Sequence, residues 1–438
     1  MSLAQTRSWR WDAARGCVSQ CALLVTGSAT EARERARDAL SRLTDAHEIL
    51  RTRFVRPTGL REPLQVVGDA TRPGWIDADW RAHADWAMRL EALYAQQRDA
   101  GQGGDGARVQ VMWLQLAEDQ AVLVVSASAL YLDGHGVAAL AQALLAGASG
   151  ADRDVLQYID VAEELSATLA TATGAEGLAH WSRQRAMQWA QGRVTAARST
   201  ASQGWGEVRQ AVVLSAAELS VLSACPGGAR SWLLACWQLL LQRWLGEQDL
   251  VVATAFDGRN DEQLADVLGP LTRYLPIRTP ADAAGDLAGR AAALAQELLA
   301  AEEWQEYFTW PSADAETIWA PRLGFSLQAV ADVDGARWLA HSACEDRFGV
   351  KLGVLMTPQG LHCTLGFDAG VYLADDMAWL LAQWHMLLRT SMAQPRQPVR
   401  ALSHVDAHTQ AWLRRGQTTD TVAAQTVHAL FSACAQAR

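Results

Sequence analysis

Cys21-Ala22-Leu23 runs into Leu24 to Gly27 as an apolar stretch closed by glycine, which predicts a first strand. Ala29 to Ala46 then carries apolar residues at helical spacing between Arg, Glu and Asp, the pattern of an amphipathic helix. Pro63 to Val67 reads as a strand, Ala82 to Ala100 as a helix, and Val109 to Ala117 and Gln120 to Ser126 as two more strands. Val137 to Ala148 is an Ala/Leu-rich helix, so the first 150 residues or so alternate as a compact α/β lobe. Ala151 to Thr200 is helical and polar, as expected of a connection. A second lobe opens near Val208 to Leu214. It has a strongly apolar helix from Ser231 to Leu245, a strand from Leu250 to Thr254, strands near Leu323–Phe325, Val350–Leu355 and His362–Phe367, and an amphipathic helix from Asp375 to Met392. From about Arg400 the composition turns to Thr, Gln, Ala and charge, as in a linker.

Length agrees with this division, since 438 residues exceed one small core and fit two domains of about 150 to 200 residues. No apolar run reaches about 18 residues, and Met1 to Gln5 lacks a basic region followed by an apolar one, so a cytoplasmic chain without membrane contact is expected. The net charge of −10, with no basic cluster interleaved with aromatics, argues against nucleic acid as a partner. Seven scattered cysteines show neither Cys-x-x-Cys nor zinc spacing, so buried free thiols and no metal are expected. Of the 19 tryptophans, Trp232, Trp237 and Trp244 have spacings that suit packing on the apolar helix. Trp75, Trp80, Trp86, Trp310 and Trp319 sit in polar or irregular settings and are candidates for a partner-binding surface.

The chemistry of the chain turns on Leu123 to Gly136, where an apolar strand leads through Ser128, Ala129 and a polar turn to Asp133-Gly134 and a helix start. This segment resembles the active-site loop of the condensation domains of nonribosomal peptide synthetases, His-His-x-x-x-Asp-Gly, with Ser128 and Ala129 at the two His positions. Other segments match in order. Ser2 to Trp9 resembles the opening Ser-x-Ala-Gln-x-Arg-x-Trp, and His47 to Phe54 resembles His-Glu-x-Leu-Arg-Thr-x-Phe with Ala46 in place of a leading Arg. Tyr158 and Trp181 fall where the family has Tyr-x-Asp and Tyr-Trp in its crossover. Gly258-Arg259 and Gly269 to Arg278 are similar to Gly-Arg and Gly-x-Phe-x-Asn-Thr-Leu-Pro-Leu-Arg, with the bulkier Arg273 and Tyr274 replacing Asn-Thr, which the resemblance implies are tunnel or cleft residues. Leu402-Ser403 and Thr426 to Phe431 look like the lead into an adenylation domain, and the pattern breaks off at Arg438 as in a domain excised from a longer chain.

The resemblance implies an α/β fold of two chloramphenicol-acetyltransferase-like lobes arranged as a V around a central tunnel. The expected divisions are 1–172, 173–400 and a linker at 401–438. Carrier domains would present phosphopantetheine-tethered substrates at the two mouths, and no cofactor would be held by the domain itself. Amine attack on a thioester needs an acceptor for the amine proton and donors for the oxyanion. Ala129 supplies neither, and Ser128 without an adjoining base is a poor acceptor. His135 is the nearest imidazole, but it is expected to face away at the helix start; His47 is expected to be structural. Asp133 is implied to be an ion-pair partner of an Arg from the second half, Arg278 first and Arg259 second, and Gly134 to supply a backbone conformation that Cβ would hinder. The expected function is therefore a condensation-type domain without standard peptide-bond catalysis. It would act as a docking platform for carriers and a tailoring oxygenase, a P450 or a non-haem iron hydroxylase, beside an adenylation domain. The alternatives are an active amide- or ester-forming domain that relies on substrate proximity, and a vestigial domain that supports its adenylation neighbour. Heterocyclisation domains carry Asp where Ser128 stands, which argues against that reading.

Overall fold

A computed structural model describes residues 1–405 apart from 16, 60–62, 70, 101–107, 148–154, 186–203, 279–284, 311, 315–316 and 319–320, and also residue 409. Trp319, Cys434, Thr426 to Phe431 and nearly all of the expected linker lie outside the described residues. Two mixed sheets organise the chain. The first has five strands in the order Ala336–Ser342, Val18–Thr26, Gln120–Ser128, Val109–Gln115 and Gly74–Asp79. Its pairs are antiparallel except for the last, which is parallel. The second has six, in the order Trp205–Val213, Gly360–Asp368, Val350–Thr357, Leu323–Ala329, Val251–Phe256 and Arg273–Arg278.

The inner strand Val18–Thr26 is covered on both faces, which is why its stretch from Cys21 to Val25 is continuously apolar rather than alternating. Cys21, Leu23 and Val25 meet the helices Ala29–Ala46 and Gly134–Ala146, while Ala22 and Leu24 meet Leu90 and Tyr94 of the helix Trp86–Ala100. The period of two along a strand produces this division. In the second lobe the helix Gly228–Leu245 is buried nearly all round, as its apolar composition requires, and packs with the helices Leu287–Glu303 and Ala374–Ala393.

Several expectations are corrected by these contacts. The four described tryptophans proposed for a partner surface, Trp75, Trp80, Trp86 and Trp310, are half-buried and pack against core clusters. Among the described tryptophans the exposed one is Trp379, at 58% of its full surface. Trp232 and Trp237 are core residues, while Trp244 is partly buried against that core. The six described cysteines are free and buried. The strands Gly74–Asp79 and Arg273–Arg278 and the helix Leu287–Glu303 were missing from the sequence reading. So was Ala336–Ser342, a strand from the second half of the chain that completes the first sheet. Among the described residues no helix is long and apolar enough to cross a membrane.

His385, on the helix Ala374–Ala393, is buried and neither of its ring nitrogens has a hydrogen-bond partner among the described residues. Burial, with Arg389 adding to it, pulls its pKa down to about 4, and burial does the same to His47. An unfolded chain takes up these protons near pH 6.5, so acid favours unfolding from there down to about pH 4, by up to about 1.4 kcal/mol per pH unit per group. The His385→Leu variant is expected to be at least as stable as the parent at pH 7 and to lose stability less steeply between pH 6.5 and 4. Denaturant unfolding across that range measures both slopes, and equal slopes would refute the assignment.

Candidate functional site

The strand Gln120–Ser128 ends in a turn, and Asp133 then caps the helix Gly134–Ala146, its carboxylate accepting from Gly136 N at 2.7 Å. An N-cap carboxylate satisfies one of the unpaired amides of the first helical turn. The same carboxylate, with no exposed surface, also reaches into the second half of the chain. It accepts from Arg259 Nη1 at 3.0 Å and Nη2 at 3.3 Å, from Leu271 N at 3.0 Å, and from Thr272 N and Oγ1 at 2.9 and 2.8 Å. Burial alone would raise its pKa, but the charge and hydrogen bonds of Arg259 outweigh that and hold it below the usual carboxylate value.

Arg259, second in the sequence reading, is thus the residue on Asp133, and Arg278 is not. Arg278 ends the strand that follows Thr272; six strand residues span about 20 Å, so it cannot reach a carboxylate held at Thr272. It lies 44% exposed and pairs with Asp249 instead. Arg259 follows Gly258, whose φ of 70° and close approach to the Leu271 carbonyl favour glycine. Its guanidinium also donates to the carbonyls of Asp257, Val267 and Gly269, which fixes the loop that Asp133 reads.

Gly134 is needed for space and not for backbone angle, which corrects the expectation for it. Its φ is not positive, but a Cβ there would lie 2.5 Å from Ala343 Cβ. Its amide donates to Glu345 Oε1 at 2.8 Å and its carbonyl faces His341 Nε2 at 2.9 Å. Glu345 Oε2 in turn accepts from Tyr274 Oη at 2.5 Å and from Lys351 Nζ at 3.2 Å. Lys351 also donates to Tyr274 Oη and to the Ala343 carbonyl. Burial and the neighbouring Glu345 push the Tyr274 phenol well above its ordinary pKa, so it stays protonated and donates. Sequence reading placed Tyr274 at the cleft but missed Glu345, His341 and Lys351; the one available signal was that Lys351 is the only lysine in the chain.

Ser128 is buried, and its Oγ accepts from Leu130 N at 3.3 Å. Ala129, 1% exposed, packs with Cys17, Cys344 and Trp205. His135 stands with Nδ1 4.0 Å from Asp257 Oδ2 and does not line the cavity beside Ala129. Burial, then Arg259, lower its pKa, so it is neutral at pH 7.

That cavity has a volume of about 250 Å³ and is lined from both halves of the chain, by Ser2, Arg7, Ala129, Asp133, Tyr158, Arg273, Tyr274, Glu345 and Asp346 among others. Arg7 bonds Asp346 in bidentate fashion at 2.8 and 3.0 Å, and Ser2 Oγ and Tyr158 Oη are 2.6 Å apart, so the amino-terminal helix Leu3–Arg15 is tied over the cavity. No imidazole is among the described residues that line it.

A family profile described as Condensation domain matches residues 2–308. The chain belongs to the condensation-domain family. This condensation domain is 28% identical over 334 residues to phosphinothricin tripeptide synthetase PhsC of Streptomyces viridochromogenes, covering 69% of this chain and 30% of that protein. It is 26% identical over 376 residues to AMB antimetabolite synthetase AmbE of Pseudomonas aeruginosa, covering 82% and 17%. The chain thus spans 30% or less of the length of these relatives. Two solved structures share its fold. The first condensation domain of the calcium-dependent antibiotic synthetase, in complex with a substrate analogue, superposes with a TM-score of 0.76 at 15% identity, over 92% of this chain and 98% of that one. The starter condensation domain of rhizomide synthetase RzmA, a mutant in complex with C8-CoA and Leu-SNAC, gives 0.74 at 19% identity, over 93% and 97%.

In this condensation domain, Asp133→Ala leaves Arg259 buried without a counter-charge and is expected to cost roughly 3 to 5 kcal/mol at pH 7. Because the folded pKa is lowered, this contribution is complete above about pH 4 and is lost as pH falls through the folded value. Replacing both partners, Asp133→Leu with Arg259→Met, should cost less than the sum of the single changes. Denaturant midpoints checked by a double-mutant cycle test this, and additive losses would contradict the pairing.

Proposed function

We propose that this condensation-type domain of a nonribosomal peptide synthetase receives carrier-tethered substrate without forming the peptide bond, and serves as a platform where a tailoring oxygenase meets the carrier. The observation that carries this reading is the cavity itself. Its architecture at Asp133 is intact, yet the position where the family pattern has an imidazole is Ala129, and no imidazole is among the described residues that line the wall. The carboxylates that line it are already matched by cations. Glu345 accepts from Gly134, Tyr274 and Lys351, and Tyr274 is held as a donor, so neither is arranged as a free acceptor for an amine proton. An enclosed site for a phosphopantetheine-borne acyl group is thereby kept while its base is lost. A P450 or non-haem iron hydroxylase is the class of partner that such a platform would serve, with an adenylation domain beside it.

The reading is tested with carrier domains loaded with aminoacyl and peptidyl groups. No peptide product above the enzyme-free background is expected, whereas oxidation of the carrier-bound residue by an oxygenase encoded beside the synthetase should require the domain. Product that accumulates with the parent and disappears when Ala129→Phe fills the cavity would show that amide formation survives, and would overturn the proposal.

A further inference from the structure

Arg273 stands out among the charged groups of the cavity. The carboxylates that line it are each matched: Asp133 by Arg259 at 3.0 Å, Glu345 by Lys351 at 3.2 Å and Asp346 by Arg7 at 2.8 Å. Arg273 has no carboxylate within 4.0 Å among the described residues. Its Nη1 donates to the backbone carbonyls of Gln305 and Glu306 at 3.3 and 2.6 Å, which pins the guanidinium in place. Glu306 offsets part of its charge without forming an ion pair within 4.0 Å. The Nε and Nη2 donors of Arg273 make no hydrogen bond among the described residues. Each lining carboxylate therefore has its own cation, Arg259 and Lys351 from behind the wall and Arg7 within it, while Arg273 lines the space with a fixed guanidinium edge that remains open.

We propose that Arg273 makes this cavity selective for an acyl or aminoacyl group carrying a free carboxylate. A guanidinium presents parallel N–H donors that match a carboxylate in two-point fashion, and restricted solvent strengthens the attraction. Leu165, Leu169, Leu271, Phe308 and Trp310 supply an apolar wall for the chain that bears it. Arg273 is already held by two carbonyls, so little side-chain freedom is lost on binding. At the cleft position where the matching family segment has a small neutral Asn, a cation would exclude a substrate amine and admit an acid. The assignment shares with the preceding proposal only the premise that acyl groups enter this cavity.

The 438-residue chain is titrated calorimetrically with the N-acetylcysteamine thioester of glutarate, with the neutral thioester of its monoamide, and with free phosphopantetheine. The acid is expected to bind about tenfold or more tightly than the amide. Arg273→Gln should abolish that preference while leaving amide binding, which serves as the control for an intact cavity, unchanged; Arg273→Lys should restore part of it. Equal binding of acid and amide by the parent overturns the anion site but leaves acyl entry standing. A preference that survives Arg273→Gln overturns the role of Arg273. Phosphopantetheine binding that depends on Arg273, without an acid preference, reassigns the residue to the phosphate of the arm and overturns the carboxylate site. Binding of neither thioester removes the shared premise and this proposal with it.

Discussion

The Asp133 carboxylate receives donors from its own helix and from two separate stretches of the second half of the chain, all without contact with water. Burying such a charge is expensive unless every lone pair is used, and here the geometry uses them. The consequence is positional more than energetic. The start of the helix Gly134–Ala146, the Arg259 loop and the entry to the strand Arg273–Arg278 cannot move independently, so the cavity wall between them is set by one side chain. Glu345 extends the same constraint through Gly134 to Tyr274 and Lys351, and Arg7 on Asp346 fastens the amino-terminal helix over the opening.

This arrangement separates two roles that one loop combines in the family pattern. Asp133 holds the helix start against the Arg259 loop, whereas the proton acceptor of the family pattern is the imidazole. Ala129 can therefore replace the imidazole at little cost to folding, because its methyl group packs against Cys17, Cys344 and Trp205. The reverse substitution pattern, a retained imidazole without Asp133, would leave Arg259 buried and unpaired. Substitution at position 129 with Asp133 retained is the direction that the energetics permit.

The sequence disclosed what is local. The helix Ala29–Ala46 and the strands at Val109–Gln115 and Gln120–Ser128 were readable because their periods of 3.6 and 2 are written within a few residues. The helix Leu287–Glu303 carries the same kind of signal, with Leu287, Leu294 and Leu298 on its buried face, and was overlooked. What could not be read was which distant segments meet. Arg278 and Arg259 are equivalent as charges, and only the length of strand after Thr272 distinguishes them. Glu345 and Lys351 meet Gly134 and Tyr274, which are far away in sequence, so no local pattern announces their contacts. The half-buried tryptophans misled for the same reason: their polar sequence neighbours point away from the clusters on which the rings rest.

The strand Ala336–Ser342 leads directly into Ala343 to Asp346, the segment that brings Glu345 and Asp346 to the cavity. Until about residue 342 has been synthesised, the edge of Val18–Thr26 has no partner on that side, and exposed apolar strand edges invite pairing with other chains. The nascent first lobe must therefore wait for most of the second before its sheet is closed. A sequence separation of more than 300 residues in that pairing makes folding slow in principle. Because synthesis delivers Val18–Thr26 long before Ala336–Ser342, the five-stranded sheet can mature only once both are present, and a chain broken between them would leave that edge as an open template for aggregation.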